Sequence, residues 1–202
     1  MGRPLRAPPS TLPKPGSMRT IATARFTLEP QTAAHADEMY GVLCDPALYE
    51  YENEPPESRE CLRTRFERLE TRVSGSGDER WLNWVIRLPS SELIGYVQAT
   101  VAADGTVYVA YVLSSAHWGR GLAREAVEAM IGELVDFYGV RSLLAVLKRE
   151  NARSLRLLQR LGFSAASVDA HAGQQVEPDE VLMCRDPATP PRASGPTATG
   201  DA

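Results

Sequence analysis

HWGRGLAREA, residues 117–126, places two glycines two apart, directly ahead of an alanine-rich run. Glycine loses more backbone entropy on folding than any other residue, so a pair at such a place needs a reason. The residues before it, TVYVAYVLS at 106–114, alternate as a strand does. After it, Ala123, Ala126, Val127, Met130, Ile131, Leu134, Phe137 and Tyr138 recur at helical spacing, and Gly139 ends the run. Strand, glycine turn and helix together form an anion-binding arrangement. The first-turn amides have no intrahelical acceptor, the helix dipole attracts negative charge, and glycine lets the backbone come close.

Three ligand classes use this arrangement. A Walker loop needs Lys and then Ser or Thr after its second glycine. Leu122 and Ala123 stand there instead. A dinucleotide fingerprint needs a third small residue and an all-parallel sheet. Here Arg124 occupies the third position, and the strands before the motif read as an antiparallel meander. RWLNWVIRL (80–88) and LIGYVQATV (93–101) are joined by PSSE, and ADG then turns into 106–114.

The other elements follow from the same cues. ARFTLEP (24–30) reads as a first strand. Thr32 is placed to cap a helix reaching about Leu43, and Ser58 a second one with Leu62, Phe66, Leu69 and Val73 as its apolar stripe. SLLAVL (142–147) is continuously apolar, as a strand covered on both faces is. Asn151 can cap a helix that ends at Gly162, and FSAASVDA (163–170) and EVLMCR (180–185) supply two late strands. The expected order is β-α-α-β-β-β-α-β-α-β-β, an α/β (α+β) fold. Residues 1–20 and 187–202 are rich in Pro, Gly, Ser, Thr and Ala and read as disordered tails around one domain at 21–186.

The motif resembles the pyrophosphate motif of the GCN5-related N-acetyltransferase (GNAT) superfamily, Q/R-x-x-G-x-G/A. On this chain it spans Trp118, Gly119, Arg120, Gly121, Leu122 and Ala123. Gly121 and Ala123 match, and Trp118 departs from Gln or Arg. NARSLRLLQRLGF (151–163) resembles the family's N-x-x-S-x-x-x-x-x-x-L-G-F helix. The likeness covers about 22–186 and runs to the ribosomal-protein acetyltransferase-like (RimJ/RimL) branch.

That resemblance implies a mixed, mostly antiparallel sheet with helices on both faces, whose fourth and fifth strands are parallel and splayed. Acetyl-CoA is then the co-substrate. Its pantetheine arm would meet the backbone of Tyr111, Val112 and Leu113, with the Val112 amide as oxyanion donor. Its pyrophosphate would rest on the backbone of residues 119–123, with Arg120 and Arg124 adding charge. Asn151 and Ser154 would complete the cofactor contacts. Many family members carry a tyrosine acid in the last helix, but Leu158 stands there, so the resemblance turns to Ser154 as proton donor. His171 and Glu177 are the candidates for the base.

The loop LYEYENEPPES (48–58) lies between the first two helices, where family acceptors enter. Its Tyr49, Tyr51, Glu52 and Glu54 suit a cationic amine. The expected reaction moves acetyl to a protein N-terminal residue or a small cationic amine such as an antibiotic or polyamine. The alternative is a non-catalytic acyl-CoA-binding regulatory module.

Net charge is −4, which argues against a nucleic-acid wrapper, and no apolar run approaches a membrane span. Cys44, Cys61 and Cys184 form no C-x-x-C pair, and His35, His117 and His171 share no metal spacing. No metal, reduced thiols, surface imidazoles and a cytoplasmic monomer or homodimer are the expectation.

Overall fold

The computed structural model describes residues 17–51, 53–166 and 176–188. Eight strands form one sheet in the order β1-β2-β3-β4-β5-β6-β8-β7. These are β1 (Ile21–Ala22), β2 (Thr27–Pro30), β3 (Glu79–Arg87), β4 (Leu93–Ala102), β5 (Thr106–Leu113), β6 (Ser142–Lys148), β7 (Ser164–Ala165) and β8 (Glu180–Arg185). The helices are α1 (Ala36–Leu43), α2 (Arg59–Glu70), α3 (Leu122–Phe137) and α4 (Ala152–Arg160).

The parallel pair is β5–β6 and not the fourth and fifth strands of the chain. The count shifts because the stretch read as one first strand belongs to a hairpin. The Thr23 hydroxyl accepts from the amides of Arg25 and Phe26, and the turn folds Ile21–Ala22 back onto β2. Every other neighbouring pair is antiparallel.

Helices cover both faces. Ala36, Met39 and Leu43 of α1 and Leu62 and Phe66 of α2 pack with Val85 and Leu93 on one side. The Ser58 side chain caps α2 as the sequence predicts, accepting from the Cys61 amide at 3.1 Å. The larger cluster holds the α3 stripe Leu122, Ala126, Val127, Met130, Ile131 and Leu134, with Leu158 and Leu161 of the α4 segment. β6 buries Leu143, Leu144 and Ala145 in succession, as its unbroken apolar run requires.

Two sequence expectations are corrected. Residues 17–20 fall in the segment read as a tail, yet Met18 packs on the core. Arg19 pairs with Glu133 at 2.5 Å and lies 3.5 Å from the Phe137 ring centre, and its carbonyl accepts from the indole of Trp84. His117, expected at the surface, is only 8% exposed.

Candidate active site

The site begins where the parallel pairing stops. β5 and β6 are in register at Thr106↔Ser142, Val107↔Leu143 and Tyr108↔Leu144 only. Beyond that, β5 stays with β4 as far as Leu113, and β6 stays with β8 as far as Lys148. Each strand is held by its outer neighbour, so the two diverge. The gap opens into a cleft of about 670 Å³ lined by both strands, by α3 and α4, and by residues of the first two helices and their connection. A cleft of this size suits a cofactor-sized ligand.

Which backbone groups face the gap follows from the pleat. The Ser114 amide donates to the Ile94 carbonyl at 2.8 Å. A Cβ on Gly95 would stand 2.1 Å from the Val112 carbonyl oxygen, so that oxygen also points at β4. Strand residues alternate in direction. The N–H and C=O of Val112 therefore face β4, while those of Tyr111 and Leu113 face the gap. The Trp118 indole confirms this alternation by donating to the Leu113 carbonyl at 2.7 Å. Val112 lines the cleft, but its amide is turned toward β4, which corrects its assignment as oxyanion donor.

At the cleft's mouth, Gly119 and Gly121 have φ of 75° and 74°, the left-handed region that is unfavourable for a side-chain-bearing residue. A Cβ on Gly119 would meet nothing within 4 Å, so the space above this turn is open. Gly121 caps α3 without any side-chain hydrogen bond, which leaves the first-turn amides of α3 for a ligand. Gly119, Gly121, Leu122, Ala123 and Arg124 line the cleft, whereas Arg120 does not. The Arg120 carbonyl is held instead by Arg25, whose guanidinium bonds it at 2.8 Å and pairs with Glu125 at 2.6 Å.

Trp118, the departure from the family motif, has two partners. Besides the Leu113 carbonyl, its ring carries the Arg153 guanidinium 3.7 Å from its centre. Arg153, Arg156 and Arg160 of α4 line the cleft with Arg124, giving it a strongly basic wall. Asn151 caps α4 by accepting from the Ser154 amide at 3.0 Å, and both line the cleft. Leu158 is buried there. Burial pushes the Tyr111 phenol up to about 12.

The acceptor side is built by α1, α2 and the connection between them. Asp45 holds that connection in place. Its carboxylate accepts from the Ala47 and Ser115 amides, and the contact with Ser115 keeps it below the usual carboxylate range. Tyr49, Tyr51 and Glu54 line the cleft, and Glu54 is the one carboxylate lining it among the described residues. The Tyr49 hydroxyl donates to the Leu43 carbonyl at 2.7 Å, and burial raises its pKa. Glu52 and His171 lie outside the described residues. Glu177 is exposed, with its amide bonded to the Glu180 carboxylate, and does not line the cleft.

Sequence reasoning missed Arg25, Arg65, Arg153, His117 and Tyr96. Arg65, Arg153, His117 and Tyr96 line the cleft, and Arg25 braces its turn. Arg25 stands 95 residues from Arg120, and no local pattern announces such a contact. Arg153 sits inside the N-x-x-S stretch, where its charge was the available signal.

A family model described as "Acetyltransferase (GNAT) domain" matches residues 25–164. The chain belongs to the GNAT acetyltransferase family. It is therefore an acyltransferase, which removes the non-catalytic alternative. The GNAT chain is 26% identical over 148 residues to "Uncharacterized N-acetyltransferase p20" of Bacillus licheniformis, covering 72% of this chain and 83% of that protein. Its fold is also that of the ribosomal-protein-S5-alanine acetyltransferase from Vibrio fischeri, with a TM-score of 0.69, 17% identity and coverage of 85% and 98%. The microcin C7 self-immunity acetyltransferase MccE, solved with acetyl-CoA and AMP, gives a TM-score of 0.68 at 17% identity, covering 81% and 93%. Among the described residues, no cluster of His, Cys, Asp or Glu could hold a metal, and no helix is long and apolar enough to cross a membrane.

Proposed function

We propose that this GNAT enzyme moves the acetyl group of acetyl-CoA to a primary amine within one ternary complex. The observation that carries this reading is the β5–β6 gap, which opens onto a helix N-terminus capped by glycine, with no side-chain acceptor, beside a basic wall. The residues fit the co-substrate. The open left-handed turn and the amides of Leu122 and Ala123 at the start of α3 suit its pyrophosphate. Arg124, Arg153 and Arg156 suit its phosphates, and the gap-facing backbone of Tyr111 and Leu113, with Asn151, suits the amides of its pantetheine arm.

Acetyl-CoA supplies an activated thioester carbonyl for the amine to attack. The chain's own groups do the rest. The amides of Tyr111 and Leu113 are the strand donors aimed into the gap, so the oxyanion role passes from Val112 to this pair. Ser154, which lines the cleft, would serve the departing sulfur as a hydrogen donor. Glu54, Tyr49 and Tyr51 receive the amine, and Glu54 attracts it in its protonated form.

The acceptor is a protein N-terminal residue or a small cationic amine, in keeping with a place in the RimJ/RimL-like branch. The name of one solved neighbour carries a ribosomal protein, which supports the first of these, and that of the other carries a microcin. Three unpaired cysteines suit a reducing compartment, which supports action in the cytoplasm; the proposed assembly is a monomer or homodimer.

The test is thiol release from acetyl-CoA across a panel of basic peptides, aminoglycosides and polyamines. Amine-dependent release supports the reading, and Glu54→Lys should then raise the acceptor KM. Binding of CoA without release in the presence of any amine would overturn it.

A further inference from the structure

α2 carries four arginines, Arg59, Arg63, Arg65 and Arg68, and three of them are occupied. Arg59 bonds the Asp37 carbonyl at 2.7 Å and lies 4.8 Å from the Tyr40 ring centre. Arg63 pairs with the Asp37 carboxylate at 2.6 Å, and Arg68 lies 5.9 Å from the Trp81 ring centre. Arg65 alone of the four lines the cleft, and its side chain has no hydrogen bond or ion pair among the described residues. Its charge reaches the acceptor loop. It draws the raised pKa of the Tyr49 phenol partly back, and that phenol is fixed by its bond to the Leu43 carbonyl. Glu54 lines the same cleft and is likewise exposed, and no ion pair joins it to Arg65.

The co-substrate does not call for Arg65. The other arginines of the cleft stand on α3, as Arg124 does, or on α4, as Arg153, Arg156 and Arg160 do. Those are the walls that suit the CoA phosphates. Arg65 comes from α2, on the acceptor side. An acceptor bearing only amines would bring like charge against it, which disfavours binding. A guanidinium matches a carboxylate in both charge and planar geometry.

We propose that the acceptor carries a carboxylate as well as its amine, and that Arg65 binds the carboxylate while Glu54 draws in the amine. This rests on the acetyl-transfer reading and narrows its acceptor to a zwitterionic class. Two sources share that chemistry: a free amino acid, and a protein N-terminus with an acidic residue close behind it. Polyamines and aminoglycosides fall outside it.

The test uses acceptors in pairs that differ in the carboxylate alone. Alanine against alaninamide probes the first source, and C-terminally amidated peptides starting Ala-Glu against Ala-Gln probe the second. At saturating acetyl-CoA, the ratio of kcat/KM for the carboxylate member to that for its neutral partner should fall about tenfold from wild type to Arg65→Met, the scale of one charge-assisted bond. The loss should fall on the acceptor KM and leave the acetyl-CoA KM in place. The amide's less basic amine acts alike in both proteins and cancels in that comparison. Arg65→Lys, which keeps the charge, should keep most of the ratio. Added salt should shrink the ratio in wild type and not in Arg65→Met. The pair that responds identifies the source.

Arg65 is exposed, so these variants should fold. A ratio that holds its wild-type value in Arg65→Met for both pairs overturns the proposal, as does a loss that falls on the acetyl-CoA KM instead. Turnover of polyamines or aminoglycosides above both carboxylate acceptors overturns it too. If the wild type acetylates no amine, the acetyl-transfer reading fails. The same pairs are then compared by calorimetric binding to the CoA-saturated protein. A carboxylate preference that is lost in Arg65→Met supports the Arg65 site by itself, and equal binding within both pairs overturns it.

Discussion

Gly119 and Gly121 show how much one dihedral decides. Both sit at positive φ, and the space above Gly119 is empty. The glycines are thus needed for the backbone's conformation, and the openness that remains is what a phosphate would use. Replacing either by Ala adds no collision at Gly119 and a 3.7 Å contact with Arg25 at Gly121, so strain at φ is the expected cost. We expect each variant to lose about 1–2 kcal/mol in denaturant unfolding and to bind CoA more weakly by calorimetry. Trp118 gains its explanation at the same scale. Its indole holds a strand carbonyl and its face holds Arg153, so it organises the site where the family motif has Gln or Arg.

At the scale of elements, two caps make separable predictions. Asn151 caps α4 through its side-chain oxygen. Asn151→Ala should cost about 1 kcal/mol of stability, and CoA affinity should fall as well. Asn151→Asp keeps an acceptor for the Ser154 amide and should keep stability while losing affinity, because the amide donors are gone. Equal affinity in wild type and Asn151→Asp would exclude a ligand contact.

The sequence placed Thr32 as the cap of α1, but Thr32 closes the short 3-10 turn Ala33–His35 that leads into it, and this turn should depend on pH. The amide of Thr32 donates to His35 Nδ1 at 3.0 Å, an acceptor that exists only in the neutral ring. Burial outweighs the attraction of Glu29 and holds the His35 pKa below its ordinary value of 6.5. The unfolded chain therefore takes up this proton first. Stability is full above 6.5 and falls as the pH drops from there through the lower folded value. Thermal melts from pH 7 to 5 should show that loss in the wild type, and His35→Asn, which does not titrate, should show less of it.

Across the whole molecule, residues far apart in sequence brace the site. Arg25 holds the glycine turn from the N-terminal hairpin. Arg19 joins the same region to α3 and accepts from fully buried Trp84. A chain starting at residue 21 loses that acceptor and strands an indole N–H in the core. It should be less stable than one starting at residue 17 by about 2 kcal/mol or more, measured by chemical denaturation. Equal stability would mean that the Arg19 contacts contribute nothing net.

The sequence by itself determined the central strands and the four helices, the glycine turn, both helix caps at Ser58 and Asn151, and the membership that the family model then showed, but not the Ile21–Ala22 strand of the first hairpin. These are local properties. Periodicity, cap chemistry and positive-φ glycine depend on a few neighbouring residues and can be read along the chain. Tertiary structure alone decided which groups meet in the cleft. It turned the Val112 amide toward β4, left Arg120 and Glu177 off the cleft, and buried His117. The physical reason is that strand direction and side-chain proximity are set by pairing and packing across the sheet. Tyr111 and Ser154 stand on β5 and α4, and nothing local to either stretch of sequence states that the fold brings both to one cleft.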